Sequence, residues 1–321
     1  MLRIFVPGPN GLLPIEPAAG VPLPEQAVWI DLLEPTPEEE QRIERELGID
    51  VPTRDEMREI ESSNRLYEEK GTLYMTATVV TRPDADVAIN TQVTFILVGQ
   101  RLVTNRYADP VPFRRFISFA QSHTSAGTSG ALLLAGLLEA FVNRIADVME
   151  QIGTDAEAIS AHVFARGRAN AHDYRDDLEQ IGQEGELVSK GRESLVSLAR
   201  LLAFLQQSDN ANISQEAHAN LRTVSRDVAA LSDHATFLGD KLQFLLDATL
   251  GLVTIDQNNI LKIFSVVTVV LLPSTVIGGF NGMNFSYIPW LHERWGVWAA
   301  LAMMAVSAVI PLVYFRRKGW L

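Results

Sequence analysis

Two uninterrupted apolar runs close the chain. No charged side chain occurs from Ile263 to Leu291, and none from Trp295 to Phe315. Each run reaches the roughly 20 residues that a helix needs to cross a hydrocarbon core of about 30 Å. Buried helices of a large soluble core are the alternative, but paired runs of this length with interfacial flanks are rare in soluble domains. The pattern therefore predicts a transmembrane hairpin of two spans. Upstream, a helical period runs from about Leu132 to Arg166 and again from about Tyr174 to Leu205, with a break at Gly167 to His172. A third helical stretch starts near Ser214 and meets only Gly239 and Gly251 before Pro273. Continuous to Phe280, it is about 67 residues or roughly 100 Å long, a stalk leaving the membrane.

The first 120 or so residues carry a different period. β-rich runs at Leu2–Val6, Ala27–Leu33, Thr72–Thr81 and Gln92–Val98, the last leading into Arg101–Asn105, are separated by Pro, Gly and Asp. Gly99-Gln100-Arg101 suggests a hairpin turn. Thr36-Pro37-Glu38-Glu39-Glu40 has the form of a helix start, with Thr36 as N-cap, Pro37 in first place and acidic residues in the first turn. The Ser, Thr and Gly of Gln121 to Gly130 read as a linker. The expected fold is an α+β membrane protein: an α/β domain over 1–130, long stalk helices over 131–260 and the two-span hairpin over 261–321.

Charge orients the hairpin. Lys262 precedes the first span and Arg316, Arg317 and Lys318 follow the second, while Glu293 and Arg294 cancel in the connection. The positive-inside rule then places both termini in the cytoplasm, and Trp290, Trp295 and Trp298 fall where an outer aromatic belt is expected, Tyr314 and Trp320 where an inner one is. The formal net charge is -12 although the transmembrane end is basic, so the acidity lies almost wholly before residue 260, which argues for cations and against nucleic acid as partners. There are no cysteines, so thiolate metal sites and disulfides are excluded. The first residues show no sustained apolar region behind a basic one, so no cleavable signal peptide is expected.

Steps of three or four residues down the third helix trace Asp247, Leu250, Thr254, Asn258, Leu261, Ser265, Thr268, Leu272, Thr275, Gly279 and Gly282, a stripe that gathers the small and hydroxylated Ser265, Thr268, Thr275 and Gly279 in its membrane half. Residues so spaced share one face. In lipid such a face must meet another helix or water, and small-residue faces serve packing as well as pores. Its continuation below the membrane through Asn258, Thr254 and Asp247 favours a pore. One such helix per chain then requires several chains around an axis. Gly278, Gly279 and Gly282 can end the helix in a left-handed cap, presenting carbonyls and the negative end of the helix dipole. With the Asn284 side-chain carbonyl they would make a ring of neutral acceptors suited to a hydrated Mg2+.

These residues carry a family resemblance. Gly282-Met283-Asn284, followed by Phe285, matches the Gly-Met-Asn signature of the CorA-type divalent-cation channels, and Tyr314-Phe315-Arg316-Arg317-Lys318-Gly319-Trp320-Leu321 looks like that family's ending. Asn258 to Phe264, Pro273 and Thr275 fall at the expected distances before the signature, and Ala27-Val28-Trp29-Ile30-Asp31-Leu32 is similar to the family's cytoplasmic domain. The resemblance implies a cyclic homopentamer in the inner membrane with a cytoplasmic funnel and a pore along the first span. Gly282, Met283 and Asn284 would form the selectivity ring, with Asn258 and Thr275 as polar pore positions. Leu261 and Leu272 would be hydrophobic gates and Asp247 a lower-pore carboxylate. The divalent cation, Mg2+ first, would be both substrate and regulator, closing the pore between cytoplasmic domains. Asp227, Asp233 and Asp240 are candidates for that sensing without being matched.

Two departures stand out. Asn281 occupies the position before the signature where Tyr is common, and Ser286-Tyr287-Ile288-Pro289-Trp290-Leu291 lacks the acidic residues usual in the following loop. A loop with fewer carboxylates concentrates cations less. Zinc, nickel or cobalt transport by the same fold is the nearest alternative, and a non-conducting metal sensor or membrane scaffold the more distant one. The six histidines show no close helical pairing of the zinc-ligand kind. No Walker-type phosphate loop and no nucleophile, base and oxyanion set occur, so an enzyme is not expected.

Overall fold

The computed structural model describes residues 1–16, 21–59, 61–81, 89–124, 129–164, 171–208, 213–283, 290 and 293–320. In chain order the elements are β1 (Leu2–Gly8), β2 (Gly11–Ile15), β3 (Trp29–Leu33), α1 (Pro37–Leu47), a 3-10 turn (Glu56–Arg58), α2 (Ser62–Arg65), β4 (Leu66–Glu69), β5 (Thr72–Thr81), β6 (Ile89–Val98), β7 (Arg101–Arg106), α3 (Val111–Ser122), α4 (Gly130–Phe164), α5 (Ala171–Gln207), α6 (Gln215–Asn281) and α7 (Gly296–Arg317). They form two compact units, Met1–Ala169 with Arg175–Leu246, and Asn170–Tyr174 with Asp247–Leu321.

In the first unit a seven-stranded sheet has the order β2-β1-β3-β7-β6-β5-β4. Only the β3–β7 pair is parallel, in register from Trp29↔Leu102 to Leu33↔Arg106. β3 lies inside the sheet, and Trp29, Ile30, Asp31 and Leu32 are all fully buried. Alternation along the strand sends Ile30 and Leu32 to a core shared with Ile43 of α1, Tyr74, Ile96 and Val103. Trp29 goes the other way, stacking on Phe5 at 4.7 Å and meeting Phe113 and Phe116 of α3, while Phe95 and Phe113 meet Phe141 of α4 edge-on.

The α1 start is as expected. Thr36 Oγ1 accepts from Glu39 N–H, the Glu39 carboxylate returns to Thr36 N–H, and Gly48 closes the helix in the left-handed region at φ 66°. The two strands that the pattern passes over, β2 and β4, are the sheet's edges. Pro14 cannot donate to a ladder and is tolerated at an edge. α3 was hidden by Pro110 and Pro112, which look like punctuation but occupy its N-cap and first turn, positions that need no N–H. α4 begins at Gly130, whose N–H reaches the Gln100 carbonyl at 2.7 Å. A side chain there would collide with the Arg101 backbone. α5 begins at Ala171, three residues before the expected start. α6 is one helix of 67 residues.

Candidate functional site: one face of α6

α6 ends, and α7 consists, in stretches long and apolar enough to cross a membrane. Only 6% of each apolar window is buried, which separates both from the core helices of a soluble domain. α7 packs on α6 through a definite face. Val266 is buried, Val270, Pro273, Ser274, Ile277, Gly278 and Asn281 are half-buried, and a methyl at Gly278 would touch Met304 at 3.5 Å. Ser274 Oγ donates to the Met304 carbonyl at 3.0 Å and lies 3.0 Å from Ser307 Oγ, a polar tie of the kind that joins membrane helices.

The predicted stripe lies on the other side. At 100° per residue, Leu261, Ser265, Thr268, Leu272, Thr275, Gly279 and Gly282 centre nearly opposite the α7 face. All are exposed, as are Asp247, Leu250, Thr254 and Asn258 below them. Among the described residues, no helix covers the stripe from Leu261 to Gly282. Each hydroxyl on this face donates to the carbonyl four residues back: Thr254 to Leu250, Ser265 to Leu261, Thr268 to Phe264 and Thr275 to Leu271, at 2.8–2.9 Å. The protons are thereby turned into the helix, and the oxygens keep acceptor capacity toward the open side. Such a row is compatible with a cation and its water.

The C-terminal end of α6 corrects one expectation. None of Gly278, Gly279 and Gly282 has positive φ. Gly282 N–H instead donates to the Gly278 and Gly279 carbonyls at 3.0 and 3.2 Å, and Met283 N–H to Phe280 at 3.3 Å, so tightening of the last turn takes up carbonyls that the sequence leaves open. The left-handed cap is on α7. Gly319 has φ 71°, with Gly319 N–H on Arg316 and Trp320 N–H on Phe315, the Schellman pairing. Trp320 stacks on Phe315 at 5.3 Å, and Lys318 Nζ lies over both Tyr314 and Trp320. The glycines of α6 divide by face: Gly278 admits α7, while Gly279 has nothing near it.

Asn284, Phe285 and Ser286 lie outside the described residues, so the selectivity position rests on sequence. One residue from each departure takes part in a shared contact. Trp290 Nε1 donates to Asn281 Oδ1 at 2.9 Å, while Asn281 Nδ2 donates to the Ile277 carbonyl at 2.8 Å. Sequence reading missed this pair because Asn281 was weighed only against the Tyr common at its position and Trp290 only as a belt residue in a loop without carboxylates. Glu293 N–H then bonds to Trp290 and Gly296 N–H to Glu293, and a side chain at Gly296 would strike the Trp290 carbonyl.

Among the described residues no cluster of three or more His, Asp or Glu could hold a metal ion. Asp227, Asp233 and Asp240 are exposed along α6. His162 Nδ1 is 2.8 Å from Asp177, and His123 and His234 stack on Phe119 and Phe237.

The CorA-like Mg2+ transporter protein family matches residues 24–317. The chain belongs to that family. It is similar to proteins named magnesium transport protein CorA from Yersinia pseudotuberculosis, 35% identical over 295 residues and 92% of each chain, and from Escherichia coli K12, 34% identical over 321 residues and the whole of both. Its fold is that of the CorA magnesium transporter from Methanocaldococcus jannaschii, with TM-score 0.80, 21% identity and 100% and 99% of the two chains covered. The full-length CmaX protein shares it at TM-score 0.74 and 16% identity, covering 100% and 98%. CorA-like membership fits the α6 face, the signature and the basic ending together.

Proposed function

We propose that this protein is a channel for passive Mg2+ entry, five copies of which surround an axis lined by the polar face of α6. The observation that carries this is the opposition of faces: α7 takes one side of α6, and the hydroxyl row opposite is left without a partner helix among the described residues. The names of the relatives supply Mg2+ as cargo. The residues from 1 to 130 and from 131 to 260 form the cytoplasmic domain and funnel, and 261–321 the transmembrane hairpin, with Lys262, Arg316, Arg317 and Lys318 on the cytoplasmic side of the inner membrane.

In this reading Gly282, Met283 and Asn284 meet the hydrated ion at the outer mouth. Thr275, Thr268, Ser265 and Asn258 pass it along, Leu272 and Leu261 close the pore when dry, and Asp247 receives the ion below. Membrane potential supplies about 2.3 kcal/mol per elementary charge per 100 mV, enough to drive a divalent ion without ATP. Cytoplasmic Mg2+ held between subunits closes the pore.

The cysteine-free sequence allows a direct test. Cysteines at Thr268, Thr275 and Gly279 should react with a water-soluble thiol reagent much faster than cysteines at Val269 or Val276. Equal labelling at both sets of positions would remove the pore assignment.

A further inference from the structure

β4 pairs with Thr72–Met75 only, so β5 continues beyond it with an open edge. There the Thr78 and Val80 N–H groups donate to Ser197 and Ser194 hydroxyls of α5, at 2.8 and 3.3 Å. Between that edge and α5 lies a half-open cavity of about 400 Å³. Three arginines line it, Arg65 from the sheet side and Arg192 and Arg200 from α5, with Glu193 as the single carboxylate among the described lining residues. Glu193 is itself engaged by Asn90 Nδ2 at 2.6 Å.

The arginines are not neutralised by described carboxylates at ion-pair distance. Among the described residues none of the three forms an ion pair. Arg65 Nη2 bonds Thr78 Oγ1 at 3.1 Å and the Met57 carbonyl at 3.4 Å, but its Nε is buried and meets no acceptor among the described residues. Burial holds the Arg65 guanidinium below its usual pKa, with Arg200 adding to the effect and Glu193 opposing it. A buried unbonded donor costs stability, and adjacent guanidiniums repel. An anion among them relieves both. In a chain of net charge -12, such a hollow is a local exception.

We propose that this cavity is a binding site for a small phosphoryl-bearing anion. Its oxygens accept from Arg65 Nε and from the forks of Arg192 and Arg200, beside the Thr78 and Ser197 hydroxyls. A tetrahedral polyanion can be shared by three guanidiniums, whereas a planar carboxylate is matched by one fork. The volume lies within the range of small-ligand sites. Enclosure by a strand edge and a helix fits a compact solute better than a protein surface. Occupancy would tie α5 to β5, linking the state of the cytoplasmic unit to phosphorylated solutes independently of the pore.

Inorganic pyrophosphate is the probe, titrated calorimetrically into the full chain in detergent with metal removed, so that chelation contributes no heat. The expected result is saturable binding, at least tenfold weaker in Arg192→Gln/Arg200→Gln. Both changes are at exposed helix positions. Affinity should be unchanged in Arg175→Gln, whose arginine pairs with Glu179 away from the cavity. Absence of saturable binding by the parent, or parental affinity in the double variant, overturns the site. Binding that appears only when the oligomer is dissociated also overturns it, because the cavity would then be a contact between copies.

Discussion

In the sheet, polar side chains are buried and answer one another; on the stripe face of α6, away from α7, the hydroxyls are exposed and answer to their own helix. Arg106 and Asp31 are fully buried and joined by two bonds of 3.0 and 2.8 Å. Thr104 Oγ1 donates to Asp31 at 2.8 Å, Trp29 Nε1 donates to Thr104 at 3.1 Å, and Arg106 Cζ lies 4.1 Å over the Phe113 ring. Burial works against the Arg106 charge, and the bonds and charges of Asp31 and Asp109 outweigh it, holding its pKa above the ordinary value. This network leaves little for a ligand to bind. On the stripe face of α6 the hydroxyl protons of Thr254, Ser265, Thr268 and Thr275 are spent on carbonyls one turn back, and the oxygens remain open. The lesson is that satisfaction within a helix leaves a face chemically available, whereas satisfaction across a sheet closes it.

The comparison predicts that damage along the α6 face and the signature after it costs transport and damage in the sheet costs stability. Asn284→Ala should abolish Mg2+ flux into liposomes while leaving the oligomer intact on size exclusion. Parental flux in an assembled variant would remove Asn284 from the ion's path. Arg106→Ala should do the reverse, lowering stability by about 3–5 kcal/mol because it strands the Asp31 charge in the sheet. Urea titration followed by circular dichroism measures the loss. A change within about 0.5 kcal/mol would mean that the network relaxes at little cost.

A smaller effect tests the Trp290–Asn281 tie, which belongs to neither class. Trp290→Phe keeps an aromatic ring but loses the indole N–H, and should cost about 0.5–1.5 kcal/mol. Asn281→Ala should cost at least as much, since it also frees the Ile277 contact, and the double variant should fall short of the sum. Strict additivity would show the contact to be idle. The contact also changes how the loop can be recharged: Ser286→Glu alone adds charge at the mouth, whereas Trp290→Glu would break the tie.

The smallest expected effect is in the sheet and depends on pH. Tyr67 stacks on Tyr74 at 4.6 Å, and burial, followed by the neighbouring Tyr74 and acidic groups, pushes its pKa up to about 12. Its folded pKa is above the unfolded value of about 10, so the neutral ring contributes stability fully below pH 10 and loses it toward pH 12. Tyr67→Phe should flatten part of that decline. Tyr74 and Tyr107, also raised by burial, should retain the rest.

Much of the fold was legible where one pattern acts over a long stretch. The 67 residues of α6, the α1 cap at Thr36 and the runs that became β5, β6 and β7 follow from period, capping and β-branched content alone. The edge strands β2 and β4 were not legible, because an edge is defined by lacking a neighbour and tolerates Pro14 or charged residues for that reason. α3 was obscured by prolines that a helix start accepts. For the site, spacing was enough to place Asp247 through Gly282 on one face, but periodicity is blind to whether another helix covers it.

By itself, then, the sequence determined which residues share a helix face, where apolar length suffices for a membrane and which tripeptide marks the family. Those are properties of neighbours along the chain, set by 1.5 Å and 100° per residue. Tertiary structure decided which α6 face meets α7 and that Gly278 packs while Gly279 stays open. It also decided that the last turn of α6 tightens where α7 takes the glycine cap, and that Asn281 and Trp290 act together. Each of these depends on which groups satisfy one another across a turn or between elements, and spacing alone cannot specify that.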